Sequence, residues 1–244
     1  MQFKKYFLVV CSFTCFLGCR SISVNKSAMH TATTTPVALG VIGIHENHML
    51  NTDFQVTTIP TYKKGIRMGI TPTTFDKTTF KAYINSSPNN PQQITYIDSL
   101  DTKPQFLKIE LIDWVSIISE LEQGYNQQTI EYLKRQQDAE MISSVSMSVS
   151  PQIIKEIQSA EAVFLVNKNY KQYELSLVTD GKNYKTIDFS DTTIFGYRLS
   201  YFCWGENDKR RVSLFDIVDE NDSCPKNTYK NAEKAKEKIN YLKL

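Results

Sequence analysis

Histidine is the scarcest of the reactive side chains here, with three among 244 residues. Triads of the Ser-His-Asp or Cys-His kind therefore have little to work with, because each needs an imidazole to take the nucleophile's proton. The phosphate-binding glycine loop, the dinucleotide glycine fingerprint and the EF-hand loop are missing, and no G-x-S-x-G elbow follows the first candidate strand. Glycine (9) and proline (8) are sparse, which disfavours a disordered chain. No segment repeats with a period of 20–50 residues, no coiled-coil pattern is present, and past the N-terminus there is no apolar run long enough to span a membrane.

Charge of either sign is also lacking in excess. The formal net charge is +2, and residues 1–18 hold only Lys4 and Lys5, so the remainder balances 26 basic against 26 acidic residues. A neutral chain has no overall pull towards nucleic acid, so no nucleic-acid partner is expected. What the chain does have is a core-forming composition: 41% apolar and 22% charged residues, with 13 Tyr and 13 Phe. That balance and length suit one globular domain rich in β-structure.

The most specific signal lies at the start. Lys4 and Lys5 precede Phe7–Leu17, an apolar run broken only by Ser12 and Thr14. At about 11 residues, it has the length of a signal-peptide core rather than of a spanning helix. Phe16-Leu17-Gly18-Cys19 follows, and this segment resembles the lipobox of bacterial lipoproteins, with Gly18 as the small residue before the cysteine. Phe16 and Leu17 depart from the usual Leu and Ala or Ser at their positions. The resemblance covers the first 20 residues. It implies cleavage after Gly18 and lipidation of Cys19 with palmitate-type acyl chains; Cys11 and Cys15 leave with the signal peptide. The expected organisation is residues 1–18 as signal peptide, 19–36 as lipidated N-terminus and flexible tether, and 37–244 as one globular domain.

Residues 20–36 are rich in Ser, Thr and Asn, end at Pro36 and show no apolar period, hence the tether, with His30 solvated in it. Strands are expected at 37–44, 54–59, 65–70, 80–84, 93–97 and 106–111, separated by turn chemistry. The period then changes. Trp114, Ile117, Ile118, Leu121 and Tyr125 form a helical stripe behind the N-cap Asp113, predicting one long amphipathic helix over about 113–139, with Gly124 a weak point. Val145–Val149 alternates as a strand, and Ser150-Pro151 opens a short helix to about Ser159. Hairpins are expected around Asp180-Gly181 and around 205–210, and a terminal helix over 227–244. The fold class is α+β: mainly antiparallel sheet with one long amphipathic helix and a C-terminal helix.

Few residues carry candidate chemistry. Cys203 and Cys224 remain after Cys19, and export makes a disulfide between them reasonable, provided residues 219–224 fold back towards Cys203. His45-Glu46-Asn47-His48 spaces its histidines at i, i+3, whereas zinc-binding helices use i, i+4; a polar loop without metal is expected. Asp216, Asp219, Glu220 and Asp222 cluster near a hairpin end, which reads as a solvated turn. Lys209, Arg210 and Arg211 read as an exposed turn, and the basic tail as a solvated helix. Phe195, Tyr197, Leu199 and Tyr201 share one face of their strand by alternation, with Phe202 and Trp204 on the other, and core packing is the commoner reason for such a strand.

Together these features describe an exported, lipid-anchored envelope protein facing the periplasm. It is expected to act as a non-enzymatic binding or accessory module, needing no cofactor, with the membrane as one partner through Cys19 and an envelope protein or cell-wall component as another. The alternative is an envelope hydrolase using acidic residues, assisted by a metal near His45 and His48. Carboxylates or histidines converging in a deep pocket would favour the hydrolase.

Overall fold

The structure, a computed structural model, describes residues 21–32, 37–47, 52–86, 94–169 and 171–238. Cys19, His48, the expected signal peptide and the last six residues lie outside them. Among the described residues, twelve strands form one sheet, and their pairings are all antiparallel. In chain order they are β1 (Ser21–Val24), β2 (Ser27–Thr31), β3 (Ile42–Asn47), β4 (Thr52–Thr58), β5 (Ile66–Thr74), β6 (Gln105–Leu111), β7 (Ala139–Ser148), β8 (Ala162–Asn169), β9 (Gln172–Thr179), β10 (Lys182–Asp188), β11 (Thr193–Glu206) and β12 (Val212–Asp219). Among the described residues, five α-helices accompany them: α1 (Lys77–Asn85), α2 (Trp114–Leu121), α3 (Gln127–Arg135), α4 (Pro151–Ser159) and α5 (Ala232–Lys238). The fold is α+β and mainly antiparallel sheet.

β11 organises the molecule. Along one edge it pairs with β7 from Thr193 to Tyr201, and beyond that Trp204 exchanges backbone hydrogen bonds with Tyr229 (2.7 and 2.8 Å). Its other edge takes β2 at Gly196–Tyr197 and then β12 from Ser200 onward. One strand can serve four partners because it is 14 residues long. Ladder irregularities at Ile194/Gly196 and Arg198/Leu199 break its alternation. Phe195 therefore packs in one core and Tyr197 in the other, not on the shared face that strict alternation predicts. All six of the strand's large hydrophobic side chains from Phe195 to Trp204 are buried.

Four local expectations are overturned. Residues 21–31, expected within the tether, form a hairpin of the sheet. Ile22 and Val24 alternate inward while Ser21 and Ser23 face out, and Asn25 and Lys26 both take positive φ (49° and 66°), as a tight hairpin turn requires. The Ser/Thr-rich composition masked this short alternation. Residues 80–84, expected as strand, lie in α1. The reason is a capping box: Thr79 N–H donates to Asp76 Oδ1 (2.7 Å) and Asp76 N–H donates to Thr79 Oγ1 (2.9 Å), which starts a helix and lays Ala82 and Tyr83 into the second core. Residues 94–97 form no strand; Tyr96 instead stacks on Phe80 at 4.8 Å. The terminal helix begins at Ala232 rather than 227, because Tyr229 is held in extended pairing with Trp204.

The long helix is a fifth correction. It is α2, a 3-10 turn at Gly124–Asn126, and α3. Glu120 is 4% exposed, and its Oε2 accepts from Lys63 N–H (2.6 Å), Lys64 N–H (3.3 Å) and Tyr125 O–H (2.7 Å). Buried Asn126 donates to the carbonyls of Thr61 (2.8 Å) and Glu120 (2.9 Å) and accepts from Thr61 N–H (2.9 Å). These side chains satisfy the backbone of the β4–β5 loop, which a continuous helix would leave unpaired.

Two cores result. The main one lies under α2, α3, α4 and α5. The smaller one is aromatic and sits beneath the β1–β2 hairpin and α1, where Phe75 meets Phe106 (4.8 Å) and Phe195 (5.5 Å). Among the described residues, no helix is long and apolar enough to cross a membrane.

Candidate functional site

Two groups of side chains stand out, and both are assembled on β11. The first lies where β2 and β12 meet end to end on its edge. His30, opposite Tyr197, places Nε2 2.7 Å from Glu220 Oε2 and stacks on the Tyr197 ring at 5.4 Å. His45 of β3 meets His30 edge-on at 5.0 Å. Glu140 of β7 lies opposite Tyr201, whose ring carries the Lys230 ammonium at 3.1 Å. His30 is thus bound into the sheet and is not solvated as expected, and His45 is brought beside a histidine other than His48. Among the described residues, no three His, Cys, Asp or Glu side chains are placed to hold a metal.

Burial pushes the Glu140 carboxyl up to about 6, helped by the neighbouring Glu220 charge and opposed by His30 and Lys230. Between the carboxyl's ordinary range and about 6, the folded protein holds a proton that the unfolded chain has lost, so this group's contribution falls as pH rises through that window. Glu140→Gln should therefore raise Tm relative to wild type more at pH 8 than at pH 4.5, each recovered kcal/mol being worth about 2–4 °C in a domain of this size. Equal Tm differences at the two pH values in thermal melts would refute the assignment.

The acidic cluster near the hairpin end does not converge. Asp219 pairs with Arg198 (3.3 Å) and accepts from Ser200 O–H (3.2 Å), Asp216 takes the N–H of Ile217 (2.8 Å), and Glu220 belongs to His30. Cys203 and Cys224 are bonded, with Cα atoms 5.6 Å apart. The chain does fold back after β12: Glu220 N–H donates to Leu199 O (3.2 Å), and Tyr229 returns to Trp204 on the opposite edge of β11.

The second group is a groove of about 560 Å³ at the far end of β11. Three segments remote in sequence line it: Lys134 and Arg135 from the end of α3, Lys209, Arg210 and Arg211 from the β11–β12 turn, and Lys236 from α5. One carboxylate, Glu233, faces these six cations. The turn is held in shape by Asn207, whose Oδ1 accepts from Lys209 N–H (3.1 Å) and Arg211 N–H (3.0 Å), while its backbone bonds to Arg210 and Arg211. The α5 wall is held by the Cys203–Cys224 bond and the Trp204–Tyr229 pairing just ahead of it. Lys134 pairs with Glu131 (3.3 Å), but among the described residues no ion pair engages Arg135, Lys209, Arg210, Arg211 or Lys236. Each basic run reads as an ordinary solvated surface in the sequence, and nothing local signals that the three meet. Chemically, the groove can hold an anion; it offers no nucleophile–base pair.

Comparison of the chain with protein-family models, with curated proteins and with solved structures finds no match.

Proposed function

We propose that the protein is an exported bacterial envelope lipoprotein, lipidated on Cys19 and facing the periplasm, whose domain acts as a non-enzymatic binding or accessory module for an anionic envelope component. The basic groove carries this reading: six cations from three separate segments are gathered at one cavity, and the carboxylates beside them are Glu233 in the lining and Glu131, which pairs with Lys134. The start of β1 at Ser21 adds a geometric consequence. Two residues span at most about 7 Å, so a lipid on Cys19 holds the domain against the membrane surface without a long tether. The groove then lies nine residues along β11 from Tyr197, the neighbour of His30 at the anchored end, or about 30 Å at roughly 3.3 Å per residue.

Stable anchoring takes about two acyl chains, which Cys19 alone would supply. Cys19→Ala should leave the protein unprocessed or move it from the membrane to the soluble fraction on cell fractionation. Unchanged processing with full membrane retention would overturn the lipid anchor. Crosslinking in intact cells then identifies the component at the groove.

A further inference from the structure

The groove's charge is not an accident of any one element. The negative end of the α3 dipole accounts for Lys134 and Arg135 at its C-terminus. It does not account for Lys209, Arg210 and Arg211, three successive like charges on a turn fixed by Asn207. Arg210 sits at φ 55°, where glycine is at ease and any side chain with a Cβ is disfavoured. The arginine there places its charge at the groove against both its neighbours and its own backbone preference. Because the chain without its signal segment is neutral, this positive field is local to the cavity.

We propose that the groove binds a ligand carrying two or more linked phosphate groups. The proposal deepens the binding-module reading and rests on it. Six lining cations, offset by Glu233 and by the Glu131 partner of Lys134, leave several positive charges in about 560 Å³ and need several negative charges in a small volume. A phosphate supplies one to two charges and up to three acceptor oxygens around one tetrahedral centre, whereas a carboxylate supplies one charge in a plane. Arginine forks pair bidentately with phosphate oxygens, and lysines act as point charges beside them. The volume falls within the roughly 300–1,000 Å³ of small-ligand sites. A soluble or polymeric phosphate compound and a lipid headgroup with two phosphodiesters share this chemistry.

The test is calorimetric titration of the full-length protein in detergent at about 50 mM salt, where screening is weak. Tripolyphosphate, the water-soluble deacylated headgroup of cardiolipin and citrate serve as probes. Tripolyphosphate or the headgroup should bind, the tighter of the two identifying a soluble or a lipid source, and citrate should bind at least tenfold more weakly. Arg210→Gly relieves the turn while deleting a charge, so Tm should hold or rise while affinity falls about tenfold or more, as for a lost charge-assisted bond. Arg211→Gln and Lys236→Gln should weaken binding similarly. Citrate binding as tightly as tripolyphosphate, no phosphate probe binding below about 1 mM, or undiminished affinity in all three variants would overturn the proposal. Release of the protein by Cys19→Ala alongside any of those results would leave the envelope-anchor reading standing and remove only the ligand class.

Discussion

Glu120→Ala is expected to lower the stability of the domain by about 2–4 kcal/mol, among the largest effects of any single substitution away from the hydrophobic core. The carboxylate is buried, and one oxygen accepts from two backbone N–H groups and the Tyr125 hydroxyl. Removing it leaves the Lys63 and Lys64 donors without their acceptor, at about 1–3 kcal/mol for each donor that water cannot reach. The damage should spread to the β4–β5 loop, because Asn126 holds the same loop at Thr61. Urea unfolding followed by circular dichroism measures the effect. Glu120→Gln keeps an acceptor oxygen of the same reach and should cost distinctly less. A Glu120→Ala variant within about 0.5 kcal/mol of wild type, the range of ordinary surface changes, would show that the carboxylate does not organise this junction.

The second large effect belongs to the bond between Cys203 and Cys224. These residues are 21 apart in sequence, and closing a loop of that length is worth about 3 kcal/mol if the stabilisation comes from restricting the unfolded chain. Cys203→Ala with Cys224→Ala should therefore lower Tm by about 6–12 °C, at 2–4 °C per kcal/mol. Its local effect is more informative. Cys224 ties down the segment that leads to Tyr229 and α5, so loss of the bond should make residues 220–231 the first site of proteolytic nicking while β11 stays protected. The α5 wall of the groove would loosen with it. Reductant should reproduce both effects in the wild type and neither in the double variant. A double-alanine variant that melts within about 2 °C of wild type and resists protease equally would remove this role for the bond.

Much of the fold was legible in the residues themselves. β6, β9, β11 and β12 follow from runs rich in β-branched and aromatic residues, the β9–β10 hairpin from Asp180-Gly181 (φ 51° and 68°), and α4 from Ser150-Pro151. Each is a short-range signal, complete within a few residues: a period of two, a cap, or a turn needing positive φ. Misreadings arose where two local signals competed. In α1 the aromatic run spoke for strand while the Asp76–Thr79 box spoke for helix, and the box prevailed because it satisfies the helix's free N–H groups at its first turn. In β1 and β2 a serine-rich composition hid a four-residue alternation that gains its stability by packing against Phe195 and Phe106.

Composition and the order of the residues thus determined an antiparallel α+β domain, its principal turns, and an N-terminus resembling a lipobox. Tertiary structure alone decided the break in the long helix, because its cause is the backbone of residues 61–64 reaching the side chains of Glu120 and Asn126 from another element. It also decided the meeting of His30 with Glu220 and the convergence of three basic segments on one groove. The physical reason is the same in each case: a charge or a hydrogen-bonding group states its own chemistry in the sequence, but its partner is set by which strands share an edge, and in this fold that is settled by β11.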